Sequence, residues 1–140
     1  MGVLIKNTDI TIYNKYYDIA NDVDKYQRTV IRGINWQGKR NAVVSDGSLN
    51  LDYSILIFVD ITTVENKQYI SPKQFNKLTD EQRPNYFTFS IGDKIVKGKI
   101  DFEITGIRPN SIADLENNFD DVVTTLGVTP WAGHWEVEAK

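Results

Sequence analysis

The chain lacks cysteine altogether, and its 140 residues include a single histidine, His134. Without thiols, neither a disulfide nor a thiolate metal site can form. A Ser-His-Asp triad would have to use His134. Apolar runs are also short: none approaches the roughly 18 residues that a membrane helix needs, and residues 1–14 carry no long apolar segment typical of a secretion signal. We therefore expect neither secretion nor a membrane partner.

The chain also lacks an excess of basic residues. The chain has 16 basic and 19 acidic residues, a net charge of −3, and no window contains five like charges. Proteins that grip nucleic acid take much of their affinity from neutralising phosphates with a basic face. We expect no such face and no sequence-specific nucleic-acid binding.

The composition that remains is that of a globular protein, with 41% hydrophobic and 25% charged residues. A chain of this length buries roughly 68% of its unfolded surface, enough for a core without cross-links. No internal repeat, low-complexity segment or linker interrupts it. The sequence predicts a single domain over residues 1–140.

Alternating and β-branched stretches predict a mainly β fold. Gly33 lies inside one of them and indicates a bulge or bend. The Asp46-Gly47 pair indicates a turn, and residues 18–25 are polar enough to predict a loop. The predicted strands are residues 10–14, 26–36, 41–44 and 53–60, and a closing hairpin of residues 122–128 and 134–138.

The clearest strand pattern lies between residues 87 and 104. Gly92-Asp93 predicts a tight hairpin turn, which would pair Phe89 with Val96 and Phe87 with Gly98. The chain after the turn alternates between apolar and charged residues, and this alternation specifies which face is buried. The apolar set is Val96, Ile100, Phe102 and Ile104; the charged set is Lys97, Lys99, Asp101 and Glu103.

Two capping patterns predict short helices among the strands. Ser71, followed by Pro72 and by Gln74 at the third position, is typical of a helix start. Ser111 with Asp114 starts the second helix. Together these elements predict a mainly β fold, an antiparallel β-barrel or sandwich of about seven or eight strands with two short inserted helices.

Residues that could carry catalysis are few. No Gly-x-Ser-x-Gly elbow and no phosphate-binding glycine loop is present. His134 shares a strand face with Glu136 and Glu138 and could form a metal pair or an acid–base couple, but a solvent-facing strand residue is the favoured interpretation. Asp120 and Asp121 are adjacent, so they would point to opposite faces of a strand.

One loop is rich in oxygen ligands: Asp18, Asn21, Asp22 and Asp24. Such ligands suit Ca²⁺, but the spacing, glycine and closing glutamate of an EF-hand are missing, and a solvated loop is favoured. We therefore predict no enzyme activity, no cofactor and no metal site.

Aromatic residues make up 11% of the chain and indicate where partners bind, because large rigid rings are enriched at interfaces. Trp36 and Trp135 are expected to fill the core. The helix-bearing segment of residues 67–84 interrupts the strands and could be an arm that docks on a neighbouring subunit. The predicted interface residues are Tyr13, Tyr16, Tyr17, Phe75, Leu78 and Trp131.

Four stretches carry a resemblance to a known class of proteins. They are ITIYN at residues 10–14, YQRTVIRGINW at 26–36, YFTFSIGDKIVKG at 86–98 and GHWEV at 133–137. With them the chain resembles small minor capsid proteins of phages and prophages of Gram-positive bacteria and, more loosely, the head-closure connectors of long-tailed phages. The resemblance covers nearly the whole chain, and none of its motifs is catalytic.

The resemblance implies a virion structural protein, made in the cytoplasm of the bacterial host, that forms a ring between head and tail. Its partners would be portal or connector proteins, tail proteins and further copies of itself. Deleting residues 71–78 would then be expected to abolish assembly and leave the barrel folded. Three alternatives stay open: a tail-terminator or tail-completion protein, a ligand-binding β-barrel for a sugar or small molecule, which predicts an internal cavity, and an enzyme built on His134.

Overall fold

The computed structural model describes residues 5–45, 48–60 and 67–140. Two α-helices and one 3₁₀ turn accompany the strands: α1 (Pro72–Phe75), the turn Arg83–Asn85 and α2 (Ile112–Asn118). The described strands are β1 (Thr8–Asp18), β2 (Val23–Ser45), β3 (Ser48–Asp60), β4 (Gln68–Tyr69), β5 (Tyr86–Phe87), β6 (Lys94–Lys97), β7 (Val122–Trp131) and β8 (His134–Ala139).

Six of these strands close an antiparallel barrel in the order β1-β2-β3-β8-β7-β6, and β4 and β5 form a separate parallel pair. Closure pairs β6 with residues 10–13 of β1 and with residues 122–124 of β7. The predicted fold class, a mainly β barrel with two short helices in its connections, is confirmed.

Gly33 forms the bulge that its position predicts. The pairing of β1 with β2 shifts by one residue between Thr8 and Ile10, opposite the segment that contains Gly33. Gly33 has a φ of +70°, which side chains rarely adopt, and its N–H donates to Asp9 Oδ1 at 2.8 Å. The bulge bends β2 where it leaves β1 and turns toward β3.

The loop predicted over residues 18–25 is wrong. The β1–β2 ladder continues until Asp18 pairs with Val23, so only residues 19–22 turn. Charged residues suit these strand ends because they form cross-strand ion pairs, Lys25–Asp18 at 2.8 Å on one face of the ladder and Lys15–Asp24 at 3.4 Å on the other.

The interior of the barrel is filled with side chains. One cluster of buried residues includes Ile12, Ile34 and Ile57. At one end, aromatic rings pack edge to face: Tyr69 lies 4.7 Å from Trp135, and Phe87 lies 5.7 Å from Phe89. Trp36 also joins this core, so the predicted core role of Trp36 and Trp135 is confirmed.

A second cluster covers the outer face of β1 and β6. It consists of Tyr13, Val96, Ile104 and Leu115 of α2. The Tyr13 hydroxyl donates to the Phe102 carbonyl at 2.7 Å. This part of the barrel wall is therefore covered on both sides.

The predicted pairing of Phe89 with Val96 and of Phe87 with Gly98 is wrong. Gly92 does turn the chain, with a φ of +95° and a hydrogen bond from the Asp93 N–H to the Ser90 carbonyl. However, Phe87 pairs with Tyr69, while β6 pairs with β1 and β7. The long β1 strand and the aromatic cluster offer these residues more buried contact than a local hairpin would.

Beyond β6 the chain is not a strand, yet the predicted alternation persists. Ile104 is buried, and Ile100 and Phe102 pack against the second cluster. The predicted charged set is exposed. Side-chain bonds replace the ladder here: Thr11 Oγ1 binds both the Gly98 carbonyl and the Ile100 N–H.

The remaining predictions largely hold. Ser71 caps α1 by accepting from the Gln74 N–H, and Ser111 and Asp114 form a complete capping box at α2. The closing hairpin is longer than predicted, because β7 and β8 leave only residues 132–133 to turn. Residues 41–44 lie within β2. The predicted turn at residues 46–47 lies outside the described residues.

Candidate functional site

Exposed apolar side chains gather at one end of the barrel. Three turns lie toward this end, at residues 19–22, 90–93 and 132–133, because Asp18 pairs with Val23, Lys94 pairs with Tyr13, and His134 pairs with Asp60. We call the exposed residues of these turns and their strands the apolar end: Tyr17, Ile19, Val23, Ile91 and Trp131. Ile19 is 84% and Ile91 75% exposed, although both are aliphatic.

Ile91 connects two shallow grooves of the apolar end. A groove of about 370 Å³ runs between Ile91 and the β1–β2 turn with Tyr17 and Ile19. A second groove, of about 360 Å³, lies between Ile91, Pro130 and the core ring of Trp135. Ile91 therefore lines both grooves, whereas Val23 and Trp131 line neither of them.

Trp131 is held in place although it is 53% exposed. Its ring stacks on His134 with centroids 6.5 Å apart and an interplanar angle of 18°. Its Nε1–H donates to Glu136 Oε2 at 2.9 Å. A ring fixed in this way loses little conformational entropy when a partner covers it.

The β1–β2 turn at the apolar end carries charges that are already paired. Asp18 binds Lys25 and accepts from Asn21 Nδ2 at 2.7 Å, and the hydrogen bond from Lys25 lowers the pKa of Asp18 to about 2. Tyr17 donates its hydroxyl hydrogen to Asp22. These contacts hold the turn in one shape.

A different surface lies at the other end of the barrel. The β1–β2 ladder starts at Ile34, and β8 pairs with β3 only from Ile55 onward. Between these limits, residues 39–45 and 48–54 pair with each other and with no other described strand. We call this two-stranded extension the ribbon. Seven residues at about 3.3 Å each carry it roughly 20 Å beyond the barrel.

A model of one protein family matches residues 5–140. The chain belongs to DUF6751, a family of unknown function. No curated protein and no solved structure is significantly similar to it. In this DUF6751 protein, no helix among the described residues is long and apolar enough to cross a membrane.

Two predicted interface residues of this DUF6751 protein are corrected by the structure. Tyr13 and Phe75 are 0% and 1% exposed, so neither ring can reach a partner. Tyr13 is buried because α2 and the chain before it cover the outer face of β1, and burial raises its pKa. Tyr16 and Leu78 are half-buried. Tyr17 and Trp131 are exposed, and both belong to the apolar end.

The arm predicted over residues 67–84 is part of the barrel's own packing. Arg83 is buried, with its guanidinium 3.9 Å above the centre of the Tyr16 ring, and it donates to Asp80 at 2.7 Å and to the Leu78 carbonyl at 2.6 Å. Phe75 packs beneath the same group. Deleting residues 71–78 would therefore remove a core side chain, so the predicted separation of assembly from folding does not hold for that deletion.

The structure does not bring together His134 and Glu136, which the sequence offered as a metal pair or an acid–base couple. Glu136 binds the Trp131 indole instead of His134, and His134 packs against Phe58 and Trp131. Across residues 5–45, 48–60 and 67–140, no three His, Cys, Asp or Glu side chains are grouped to hold a metal ion.

Sequence reasoning missed Ile19, Val23, Ile91 and the ribbon. A signal for Ile19 was available, since an aliphatic residue stands in a polar turn beside Tyr17 and Asp18. Ile91, beside Gly92 at a turn, carried the same signal. The ribbon had no local signal because its edges depend on where β1 and β8 stop.

Proposed function

We propose that this DUF6751 protein is a structural subunit of a tailed-phage particle, a head-tail connector or head-closure ring component, and that it acts by binding neighbouring subunits. The observation that carries the proposal is a filled barrel with the apolar end on one side and, on the other, a ribbon whose strands pair with no third strand among the described residues. Unlike surfaces at opposite ends suit head-to-tail contacts, which close into rings when the rotation allows. The four stretches that resemble phage proteins favour the same role.

The apolar end supplies the attraction for a neighbouring subunit. Complete burial of one large aliphatic or aromatic side chain is worth about 1.5–3 kcal/mol. Ile19 and Ile91 expose most of their surface, so a partner that covers them gains much of this energy. The ion pair between Lys25 and Asp18 and the bound Trp131 indole keep the surface in its binding shape.

The charge of the chain fits a component near a DNA path. With a net charge of −3, the protein has little attraction for phosphate, and DNA slides past a surface that does not grip it. A basic surface would retain DNA.

A ligand-binding barrel is less well supported. Such a protein needs an internal cavity, whereas Ile12, Ile57 and Trp135 belong to one packed cluster inside this barrel. The grooves on either side of Ile91 are open to the surface. A tail-terminator or tail-completion protein would use the same surfaces as a connector, and its position in the particle separates the two roles.

The test is the composition of particles induced from the host that carries the gene. Mass spectrometry of gradient-purified particles should detect the chain in a fixed ratio to portal protein. The double variant Ile19→Ser with Ile91→Ser should be incorporated at least roughly tenfold less, since two buried aliphatic contacts are worth several kcal/mol.

Ile107→Ser is the matched control. Ile107 is 76% exposed, like Ile91, but it lines neither groove of the apolar end, so this variant should be incorporated normally. Particles without the chain would overturn the proposed role. Normal incorporation of the double variant would show that the apolar end does not mediate assembly.

A further inference from the structure

Both ends of the turn that carries Ile91 are tied to one side chain of β1. We call residues 88–93 the Ile91 loop, because Ile91 is exposed and lines both grooves of the apolar end. Asn14 is buried, and its Nδ2 donates to the Thr88 carbonyl at 2.7 Å and to Asp93 Oδ2 at 2.8 Å. Its Oδ1 accepts from the Thr88 N–H at 3.3 Å. One buried amide therefore joins the first and last residues of the loop.

Further contacts fix the Ile91 loop on both neighbouring strands. The Asp93 carbonyl accepts from the Thr125 N–H of β7 at 2.9 Å, and the Gly92 N–H donates to the Thr125 carbonyl at 2.9 Å. The second carboxyl oxygen of Asp93 accepts from the Lys15 N–H of β1 at 3.1 Å. Because Asp93 contributes to the contacts with both strands, the protonation of its carboxyl affects how the loop is held.

The buried Asp93 carboxyl has no cation to match its charge. Among the described residues it forms no ion pair. The Lys15 ammonium acts on it from β1 but is paired with Asp24 at 3.4 Å. Loss of solvation therefore outweighs the hydrogen bonds and raises the pKa of Asp93 from 3.8 to about 6. The closed loop holds a proton that a carboxyl in water would release.

Other side chains surround Asp93. Besides Asn14, the groups that share its groove or interact with it are Lys15, Tyr16 and Tyr17 of β1, Asp24 and Tyr26 of β2, Asn76 after α1 and Thr125 of β7. Of the two carboxyls in this region, Asp93 is 4% exposed, whereas the side chain of Asp24 is 49% exposed. The pKa values of Tyr17 and Tyr26 are raised, so both phenols are neutral at neutral pH and below. The proton that responds to burial is therefore that of Asp93.

We propose that Asp93 is a pH-dependent switch for the apolar end: its protonated carboxyl keeps the Ile91 loop closed on β1 and β7, and its ionised form favours an open loop. When the loop opens, the carboxylate returns to water and the cost of burying its charge disappears. Protonation and closure therefore stabilise each other. A partner that binds Ile91 in the closed loop also favours protonated Asp93, because linkage is reciprocal, and this consequence alone rests on the proposed function.

Amide hydrogen exchange in the full-length chain, measured by NMR on a dilute sample, tests the switch. The reporters are the N–H groups of Lys15, Gly92 and Asp93. Their protection factors should be about tenfold lower at pH 7 than at pH 5, because opening then gains the free energy of ionising Asp93 in water. At both pH values they should remain less protected than the N–H of Ile57, which lies between β2 and β8, since the loop opens without unfolding the barrel.

Asp93→Asn has no proton to lose, so the protection factors of Lys15 and Gly92 should become equal at the two pH values. Asp101→Asn, which removes an exposed carboxyl, should keep the tenfold difference. If Asp93→Asn fails to fold, the carboxyl carbon resonance of Asp93 in the wild-type protein gives the answer, because its titration midpoint must coincide with that of the loss of protection.

Three results would overturn the switch: protection that does not change with pH, protection equal to that of Ile57, or a pH dependence that persists in Asp93→Asn. A carboxyl midpoint that differs from that of the amides would overturn it as well. These measurements use the isolated chain, so a failed switch leaves the proposed particle role standing. Particles without the chain would overturn that role and leave the switch standing.

Discussion

A buried carboxyl group makes the stability of this protein depend on pH. Asp93 is almost fully buried, and its two oxygens accept from Asn14 Nδ2 at 2.8 Å and from the Lys15 N–H at 3.1 Å. Loss of solvation outweighs these bonds and raises the pKa of Asp93 from 3.8 to about 6. The folded state therefore holds this proton more tightly than the unfolded chain.

The sign and size of the effect follow from that difference. Stability is highest below the unfolded pKa of Asp93 and is lost as the pH rises through about 6. Lowering the pH from 7 to 5 should raise the free energy of unfolding by about 1.4 kcal/mol, because Asp93 then binds its proton mainly in the folded state. The pKa values of Asp18 and Asp114 are lowered, so these groups titrate below this window.

Urea unfolding followed by tryptophan fluorescence measures the change, since Trp36 and Trp135 are buried. At a slope of about 2 kcal/mol per molar, the midpoint should rise by roughly 0.7 M between pH 7 and pH 5. Dilute protein is needed because the sequence pI is about 5.1. Asp93→Asn should abolish this rise, and Asp101→Asn, at an exposed position, should preserve it. A wild-type midpoint that stays constant or falls, or an unchanged rise in Asp93→Asn, would refute the reasoning.

Three further predictions concern contacts that hold the barrel's connections. Tyr13→Phe leaves the partly buried Phe102 carbonyl without its donor, so the free energy of unfolding should fall by about 1–2 kcal/mol in urea titrations. No change would mean that water replaces the hydroxyl. Arg83→Lys loses the stack on Tyr16 and the two hydrogen bonds from the guanidinium to Asp80 and to the Leu78 carbonyl. The free energy of unfolding should fall by about 2–3 kcal/mol in the same assay. Equal stability would show that the charge alone suffices. Ser111→Ala removes the cap of α2 and should cost about 1 kcal/mol in thermal unfolding, with Ser111→Thr as the variant that retains the cap.

Several features of the fold were predictable because each depends on a few neighbouring residues. The bulge at Gly33, the caps at Ser71 and Ser111 and the turn at Gly92 all arise from local backbone geometry. The alternation of apolar and charged residues after Val96 correctly predicted which side chains are buried. It did so although the chain forms no strand beyond β6, since burial depends on the direction in which side chains point. The same local patterns predicted the mainly β fold.

The candidate site was less predictable because exposure depends on what covers a residue. Tyr13 and Tyr17 lie in the same strand and looked alike as interface residues. Only Tyr17 remained exposed, because the second cluster covers β1 at Tyr13 and ends before the turn. Phe75 was misplaced for the same reason: its helix packs against Arg83 and the barrel.

By itself, the sequence determined the mainly β fold, the helix caps, the turn at Gly92, the absence of thiol chemistry and the core role of Trp36 and Trp135. Tertiary structure alone decided which strands pair. Several strands have similar hydrophobic patterns and compete for the same pairing partners. In the folded chain β6 pairs with β1, and Phe87 pairs with Tyr69. Tertiary structure also set the extent of the ribbon: among the described residues its two strands pair only with each other, because the ladders of β1 and β8 end before it.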